Sequence, residues 1–240
     1  MPLDRLLVRR GLAADRDAAR VLIAEGSVRV DGLPASNPDA RVRPDVPVER
    51  APTGPSWVSR GALKLLGALD DLPMDVEGHV CADLGASTGG FTQVLLERGA
   101  TRVLAVDVGR GLIHRSLEVD PRVVVLEGTN ARTLPGLPEP VTRIVGDLSF
   151  ISLKAMLPSV CRFLPPGGEA VLLVKPQFEA PADAVGQGGR VDGEVREAAI
   201  AEVVRAVLDA DLSLVGHADS QVAGAKSGNV EHFLWLRRSG

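Results

Sequence analysis

Lysine is scarce in this 240-residue chain: four residues (Lys64, Lys154, Lys175 and Lys226) against 23 arginines. A lysine kept in such a chain is a group that can lose its proton, which arginine cannot do. Lys175 follows the apolar run Ala170–Val174, in Leu172-Leu-Val-Lys175-Pro-Gln-Phe-Glu, which puts it at the carboxyl end of a buried strand. Lys64 lies on a helix, in Ser59-Arg-Gly-Ala-Leu-Lys64-Leu. Asp147 closes another apolar run, in Val145-Gly-Asp147-Leu-Ser-Phe-Ile-Ser, and Glu231 opens one, in Gly228-Asn-Val-Glu231-His-Phe-Leu-Trp. Two lysines and two acids around one cleft suit attack by an alcohol, which must shed its proton. A free lysine, at about 10.4, is too protonated to take it; partial burial and a second ammonium act to lower that value. Lys175 is the expected acceptor, because its strand fixes and partly desolvates it, with Lys64 as its charged neighbour and the acids orienting the pair. Plainer readings stand beside these: a snorkelling strand-end Lys175, a solvated Lys64 and an exposed edge charge at Glu231.

A second pattern says what the alcohol would attack. Val80-Cys-Ala-Asp83-Leu-Gly85-Ala-Ser-Thr88-Gly-Gly90-Phe reads as a strand ending in an acid, a glycine-rich turn and a helix. The glycines would let a ligand approach the backbone. The turn has no Gly-Lys-Ser/Thr, so it is no P-loop, and an acid at the strand end suits a cationic ligand better than a pyrophosphate. S-adenosylmethionine, with a positive amino group and sulfonium and no phosphate, fits. Asp107, closing Val103-Leu-Ala-Val-Asp107, suits a ribose diol; the plainer reading of either acid is a cap or strand-end turn. The chemistry expected is therefore methyl transfer to an oxygen. Base-amino methylation is disfavoured because no Pro-Pro follows Asp147, and C5 methylation because Cys81 and Cys161 are both misplaced for a nucleophile.

The elements that must position these residues are legible in outline. After a helix from Ser59 to about Leu72, strands over 79–84, 102–108, 122–127, 142–148 and 168–175 alternate with helices over 90–98, 112–117, 151–164 (Pro158 as a kink) and 194–208. Strands over 212–218 and 230–237 close the chain. This order predicts an α/β doubly wound sheet, mostly parallel. The first 50 residues differ: short helices over 3–10 and from an Asp15 cap to Gly26, then a hairpin ending in Asp31-Gly32. Six prolines between 34 and 55 mark a joint over 33–58. The expected domains are 1–50, a linker over 51–58, and 59–240. Residues 1–50 carry a net charge of +1 and the remainder −5, so bulk charge marks no strongly basic nucleic-acid binder. Arg9, Arg10, Arg16 and Arg20 nonetheless cluster, as either a solvated helix face or phosphate contacts. No apolar run is long enough to span a membrane and no secretion signal opens the chain. Two cysteines 80 positions apart read as buried free thiols in a reducing cytoplasm, with no metal site. The glycine-rich segment Gly186-Gln-Gly-Gly-Arg-Val-Asp-Gly193 is expected to be a mobile lid or a plain surface loop.

Two resemblances sharpen this. Leu6, Ala18-Ala-Arg-Val-Leu-Ile and Gly26-Ser-Val-Arg-Val-Asp-Gly32 resemble the small S4-type α-L RNA-binding domain. The order Lys64, Asp147, Lys175, Glu231 resembles the tetrad of FtsJ-like ribose 2′-O-methyltransferases. With Trp57-Val-Ser-Arg60-Gly61, Gly146-Asp-Leu-Ser-Phe-Ile-Ser-Leu, Lys175-Pro-Gln-Phe-Glu and Gly228-Asn-Val-Glu, it narrows to hemolysin-A-like (TlyA-type) rRNA methyltransferases. The resemblance implies cytidine 2′-O-methylation in 16S and/or 23S rRNA of the ribosomal subunits, with Lys64, Asp147, Lys175 and Glu231 catalytic. It implies S-adenosylmethionine against Ser59, Arg60, Asp83, Gly85, Ala86, Ser87, Thr88, Gly89, Gly90, Phe91, Asp107, Asn130 and Asp147. It implies RNA contacts at Arg5, Arg9, Arg10, Arg16 and Arg20. Two departures are the near-neutral N-terminal domain and Gly128, in Leu126-Glu-Gly-Thr-Asn, where the family pattern has a basic residue. They leave open a methyltransferase for a small molecule, or a non-catalytic RNA-binding or ribosome-assembly protein.

Overall fold

The computed structural model describes residues 1–24, 26–50, 57–224 and 227–240 and divides into two compact units, Met1–Ser56 and Trp57–Gly240. Most of the expected linker, and Lys226, lie outside the described residues.

In the first unit, α1 (Leu3–Arg9) and α2 (Arg16–Ala24) pack on a three-stranded antiparallel sheet of β1 (Val28–Val30), β2 (Leu33–Pro34) and β3 (Val48–Arg50), ordered β2-β1-β3. The Asp15 carboxylate accepts from the Ala18 amide at 2.7 Å, capping α2. Asp31 (φ 52°) and Gly32 (φ 77°) make the two-residue hairpin turn that Asp-Gly favours. Leu3, Leu7, Ala19, Leu22, Ile23 and Val28 form the core. The proline-rich stretch is only partly a joint. Residues up to 50 belong to this unit, because β3 pairs with β1 and the amides of Leu3 and Asp4 donate to the carbonyls of Ala40 and Pro38, both at 3.0 Å.

The second unit begins with α3 (Gly61–Asp71) and continues β4 (Val80–Leu84), α4 (Gly90–Glu97), β5 (Arg102–Asp107), α5 (Arg115–Glu118), β6 (Val123–Glu127) and β7 (Arg143–Gly146). Then come α6 (Leu157–Phe163), β8 (Glu169–Val174), α7 (Pro176–Glu179), α8 (Gly193–Leu208), β9 (Leu212–Asp219) and β10 (His232–Arg238). The sheet order is β6-β5-β4-β7-β8-β10-β9, parallel except for β10, which runs antiparallel to both neighbours. Period-two alternation divides the core. Cys81, Val103, Val145, Val171 and Phe233 face α3 and α4, whereas Ala82, Leu104, Ile144, Leu172 and Leu234 face α6 and α8.

Three sequence expectations shift. Pro158 sits in the first turn of α6 rather than kinking a longer helix, where its missing N–H costs nothing. The helix expected from Leu112 starts only at Arg115, because Glu127 accepts from the amides of Gly111, Leu112 and Ile113 and holds them outside a helix. Of the two free cysteines only Cys81 is fully buried, and burial pushes its thiol up to about 12. Among the described residues, no helix is long and apolar enough to cross a membrane.

Candidate active site

The sheet order reverses between β4 and β7, and open α/β sheets bind ligands outside the carboxyl ends of strands at that point. Gly85 (φ 85°) leaves β4 there, and a Cβ on it would lie 2.8 Å from the Asp147 carbonyl oxygen leaving β7. A Cβ on Gly89 (φ 93°) would overlap Leu117 and lie 2.7 Å from Ile113 Cδ1; one on Gly90 would overlap Ser59 and lie 2.8 Å from the Ala62 amide nitrogen. These glycines thus let the protein's own segments close on one another, a use the sequence reading had given to the ligand. Ser87 holds a left-handed φ of 49° without being glycine, and its amide donates to Asp107 Oδ2 at 2.8 Å. The Gly109 amide donates to Asp107 Oδ1 at 2.7 Å, so the carboxylate is fixed with a lone pair to spare on each oxygen.

Around this turn Ser59, Arg60, Lys64, Gly85, Ala86, Ser87, Thr88, Gly90, Phe91 and Asp147 line a cavity of about 220 Å³. It shares Gly85, Ser87 and Asp147 with one of about 570 Å³ that Asp107, Asn130, Val108, Leu112, Leu148 and Phe150 also line. Gly89 and Asp83 line neither. Strand alternation turns Asp83 inward onto the α4 face, where it is fully buried and its Oδ2 accepts from Thr92 Oγ1 at 2.7 Å. Its Oδ1 has no hydrogen-bond partner among the described residues. Burial, with the charges of Asp147 and Asp107 adding to it, pushes this carboxyl up to about 7.

The four proposed catalytic side chains meet in one place. Glu231 Oε2 lies 2.5 Å from Lys64 Nζ, which is 3.9 Å from Asp147 Oδ2; Asp147 Oδ1 lies 2.6 Å from Lys175 Nζ. Charges therefore alternate along the row, with a carboxylate between the two ammoniums. Glu231 immediately precedes β10, whose antiparallel direction brings its start to the edge where the parallel strands end. Lys64 and Lys175 are equally enclosed, each 9% exposed, so burial does not single out Lys175 as the sequence reading had it. A third cavity, about 370 Å³, is lined by Lys64, Lys175, Glu231, Ser149, Gln177, Phe150 and Phe178.

Sequence reasoning missed what frames this row. Phe150 is 84% exposed at φ 64°, with its ring 5.4 Å from that of Phe178. Lys175 donates to Ser149 Oγ at 2.5 Å, and Glu179 accepts from Ser152 Oγ at 2.6 Å and the Leu153 amide at 2.5 Å. The segments after β7 and β8 are thus laced together at three points. Both appeared in the sequence as supporting stretches, but nothing there paired them. Asn229 Nδ2 donates to Gly189 O at 2.8 Å and its Oδ1 accepts from the Val191 amide at 3.1 Å, so the glycine-rich segment is tethered beside the third cavity. In the small unit, Arg16 and Arg20 share a face as expected, but both reach the buried carboxylate of Asp4, at 2.7 and 3.1 Å. Burial opposes ionisation of Asp4, yet hydrogen bonds from Arg16, the Arg5 amide and Arg20 outweigh it and hold its carboxyl below the usual range. Arg10 donates to Pro44 O at 2.7 Å, so part of the arginine cluster is framework; Arg5 and Arg9 are exposed.

A family model described as FtsJ-like methyltransferase matches residues 57–238. The chain belongs to this family. A model for the S4 domain matches residues 1–48. The chain is 48% identical to the 16S/23S rRNA (cytidine-2′-O)-methyltransferase TlyA of Mycobacterium tuberculosis, over 98% of this chain and 89% of that one. It is 34% identical to Hemolysin A of Brachyspira hyodysenteriae, over 98% and 100%. A solved structure described as a hemolysin of Streptococcus thermophilus superposes with a TM-score of 0.76 at 33% identity, covering 100% of this chain and 88% of that one. The FtsJ-like unit thus carries its row of four at the strand ends that its fold sets aside for ligands.

Proposed function

We propose that the FtsJ-like unit methylates the ribose 2′-hydroxyl of a cytidine in ribosomal RNA, and that the S4 unit recognises the RNA. The observation that carries this is the row Glu231–Lys64–Asp147–Lys175 at the junction of the three cavities. The Mycobacterium relative, named for cytidine-2′-O methylation of 16S and 23S rRNA, supports the substrate class.

The donor we assign is S-adenosylmethionine, which supplies an electrophilic methyl group when bound. The residues present fit it. The glycine turn itself carries no lysine, Asp107 offers two fixed acceptors for a diol, and Asp83 Oδ1 is a buried acceptor without a hydrogen-bond partner among the described residues. Ser59, Arg60, the 85–91 turn and Asn130 would line its site. Toward the alcohol, Lys175 as the neutral amine takes the hydroxyl proton onto Nζ, Asp147 holds the ammonium that results, and Glu231 holds Lys64 as a positive neighbour. Enclosure by the protein keeps bulk water from competing for the proton. The reaction would run in the cytoplasm, where ribosomes are.

Transfer of tritiated methyl groups from S-adenosylmethionine to 30S subunits, 50S subunits and naked rRNA tests the proposal. Label on 2′-O-methylcytidine is the expected result; label only on small molecules, or none, would overturn it.

A further inference from the structure

We infer that Arg110 is an anchor for an RNA phosphate beside the cleft, its guanidinium filling the room that Gly128 leaves; this rests on the RNA-methylating reading above. Ten of the fourteen arginines in residues 57–240 are tied to carboxylates or backbone carbonyls, among them Arg98 to Asp70, Arg102 to Glu139, Arg122 to Asp120 and Arg237 to Glu169. The side chains of Arg60, Arg110, Arg132 and Arg190 are exposed and make no hydrogen bond or ion pair among the described residues. Of these, Arg60 and Arg132 line the cavities already described, and Arg110 is the one whose guanidinium lies where a Cβ on Gly128 would be.

Gly128 has φ 66°, and a Cβ on it would fall within the Arg110 guanidinium, 2.8 Å from Nε. At that φ a side chain would be strained, and it would displace the guanidinium. Glu127 makes no ion pair with Arg110 among the described residues; the amides of Ile113, Gly111 and Leu112, and to a smaller extent the Arg110 charge, hold its carboxyl below the usual range. Its two oxygens accept from the amides of Gly111, Leu112 and Ile113, at 2.6, 2.7 and 3.0 Å. The Gly128 amide donates to Gly109 O at 2.8 Å, and the Thr129 amide to Asp107 O at 2.9 Å. The loop carrying Arg110 is therefore stitched on both sides to the segment that carries Gly128. With the loop backbone held and the carboxylate of Glu127 taken up by three amides, the guanidinium is left open to an external anion. Val108 and Leu112, two positions to either side, line the cavity that holds Asp107. The proposed methyl donor has no phosphate, whereas RNA presents one per nucleotide, so the anion is a backbone phosphate near the target nucleotide.

The test measures KM and kcat for methyl transfer to unmethylated ribosomal subunits across a salt series, with calorimetry of S-adenosylmethionine binding. Arg110→Gln should raise KM about tenfold, leave kcat within about twofold, and lower the salt slope by about one. Cofactor affinity should not change. Arg110→Lys should keep the wild-type salt slope, and Gly128→Arg placed on Arg110→Gln should restore much of the lost KM. An unchanged KM and slope in Arg110→Gln would overturn the inference, as would loss of cofactor affinity, or equal damage from Lys and Gln. Failure of the Gly128→Arg rescue where Lys at 110 succeeds would overturn the shared placement. Wild-type protein that labels no subunit would bring down the RNA reading itself, and this inference with it.

Discussion

Asp83→Asn should remove a pH dependence from the stability of the FtsJ-like unit. Burial, reinforced by Asp147 and Asp107, lifts the Asp83 carboxyl from 3.8 to about 7. Between those values the native state keeps a proton that the unfolded chain has released, so native stability falls as pH rises through the window. At roughly 1.4 kcal/mol per pH unit, the whole displacement is worth about 4 kcal/mol, of which about 2–3 kcal/mol is lost between pH 5 and pH 8. Asparagine keeps the shape and has no such proton. It leaves a buried amide short of a partner, at a cost of about 1–3 kcal/mol that is the same at every pH. The difference between variant and wild type should therefore move by about 2–3 kcal/mol in the variant's favour from pH 5 to pH 8. For a unit of this size that is about 5–10 °C in melting temperature. Calorimetry of cofactor-free protein at several pH values reads it directly. Parallel curves for the two proteins would mean that Asp83 is ionised throughout, and the burial argument would fail. On the proposed role, S-adenosylmethionine should bind wild type more tightly as pH rises through 7, and the variant weakly at every pH.

Other outcomes follow from the ion pairs. Lys175→Arg keeps the charge but cannot accept a proton, so methyl transfer should fall at least about a hundredfold with cofactor and RNA binding nearly intact, whereas Lys64→Arg should be milder. Near-normal turnover of Lys175→Arg at saturating substrate would make Lys175 a positioning charge only. Glu231→Gln takes the negative charge from the 2.5 Å partner of Lys64 and should lower stability by about 2–3 kcal/mol, read as a fall in urea midpoint at constant m. Asp4→Ala should lower the melting temperature of the S4 unit, because two guanidiniums lose their shared carboxylate at a cost of about 2–3 kcal/mol. Since Asp4 is held below its usual range when folded, its contribution is complete above about pH 4 and is lost as pH falls through the folded value. The variant should lack that acid step.

What was legible in the sequence had a local cause. Apolar runs ending in Asp107, Asp147 and Lys175 placed those residues at strand ends, since a buried strand must stop where its apolar pattern stops. What was not legible depended on partners far along the chain. Lys64 looks like an exposed helix residue until Glu231, 167 positions on, covers it. The inward turn of Asp83 follows from strand parity, which the reading of the motif as a ligand turn did not apply. The arginines at 16 and 20 satisfied a spacing rule that cannot distinguish an open cation from one already held by Asp4. The exposed ring of Phe150 needs a backbone conformation that no pattern in its neighbours announces.

The order of the sheet has a consequence for synthesis. β9 precedes β10 in the chain but lies outside it in the sheet, so β9 has nothing to pair with until β10 has been made and inserted against β8. A nascent chain halted after α8 would carry the glycine turn, Asp107, Asp147 and both lysines, with a raw edge at β8 and an uncovered Lys64. Insertion of β10 closes that edge and sets Glu231 against Lys64 in the same event. On the roles proposed above, the catalytic row is completed by this pairing step, and an unfinished copy would hold RNA without acting on it.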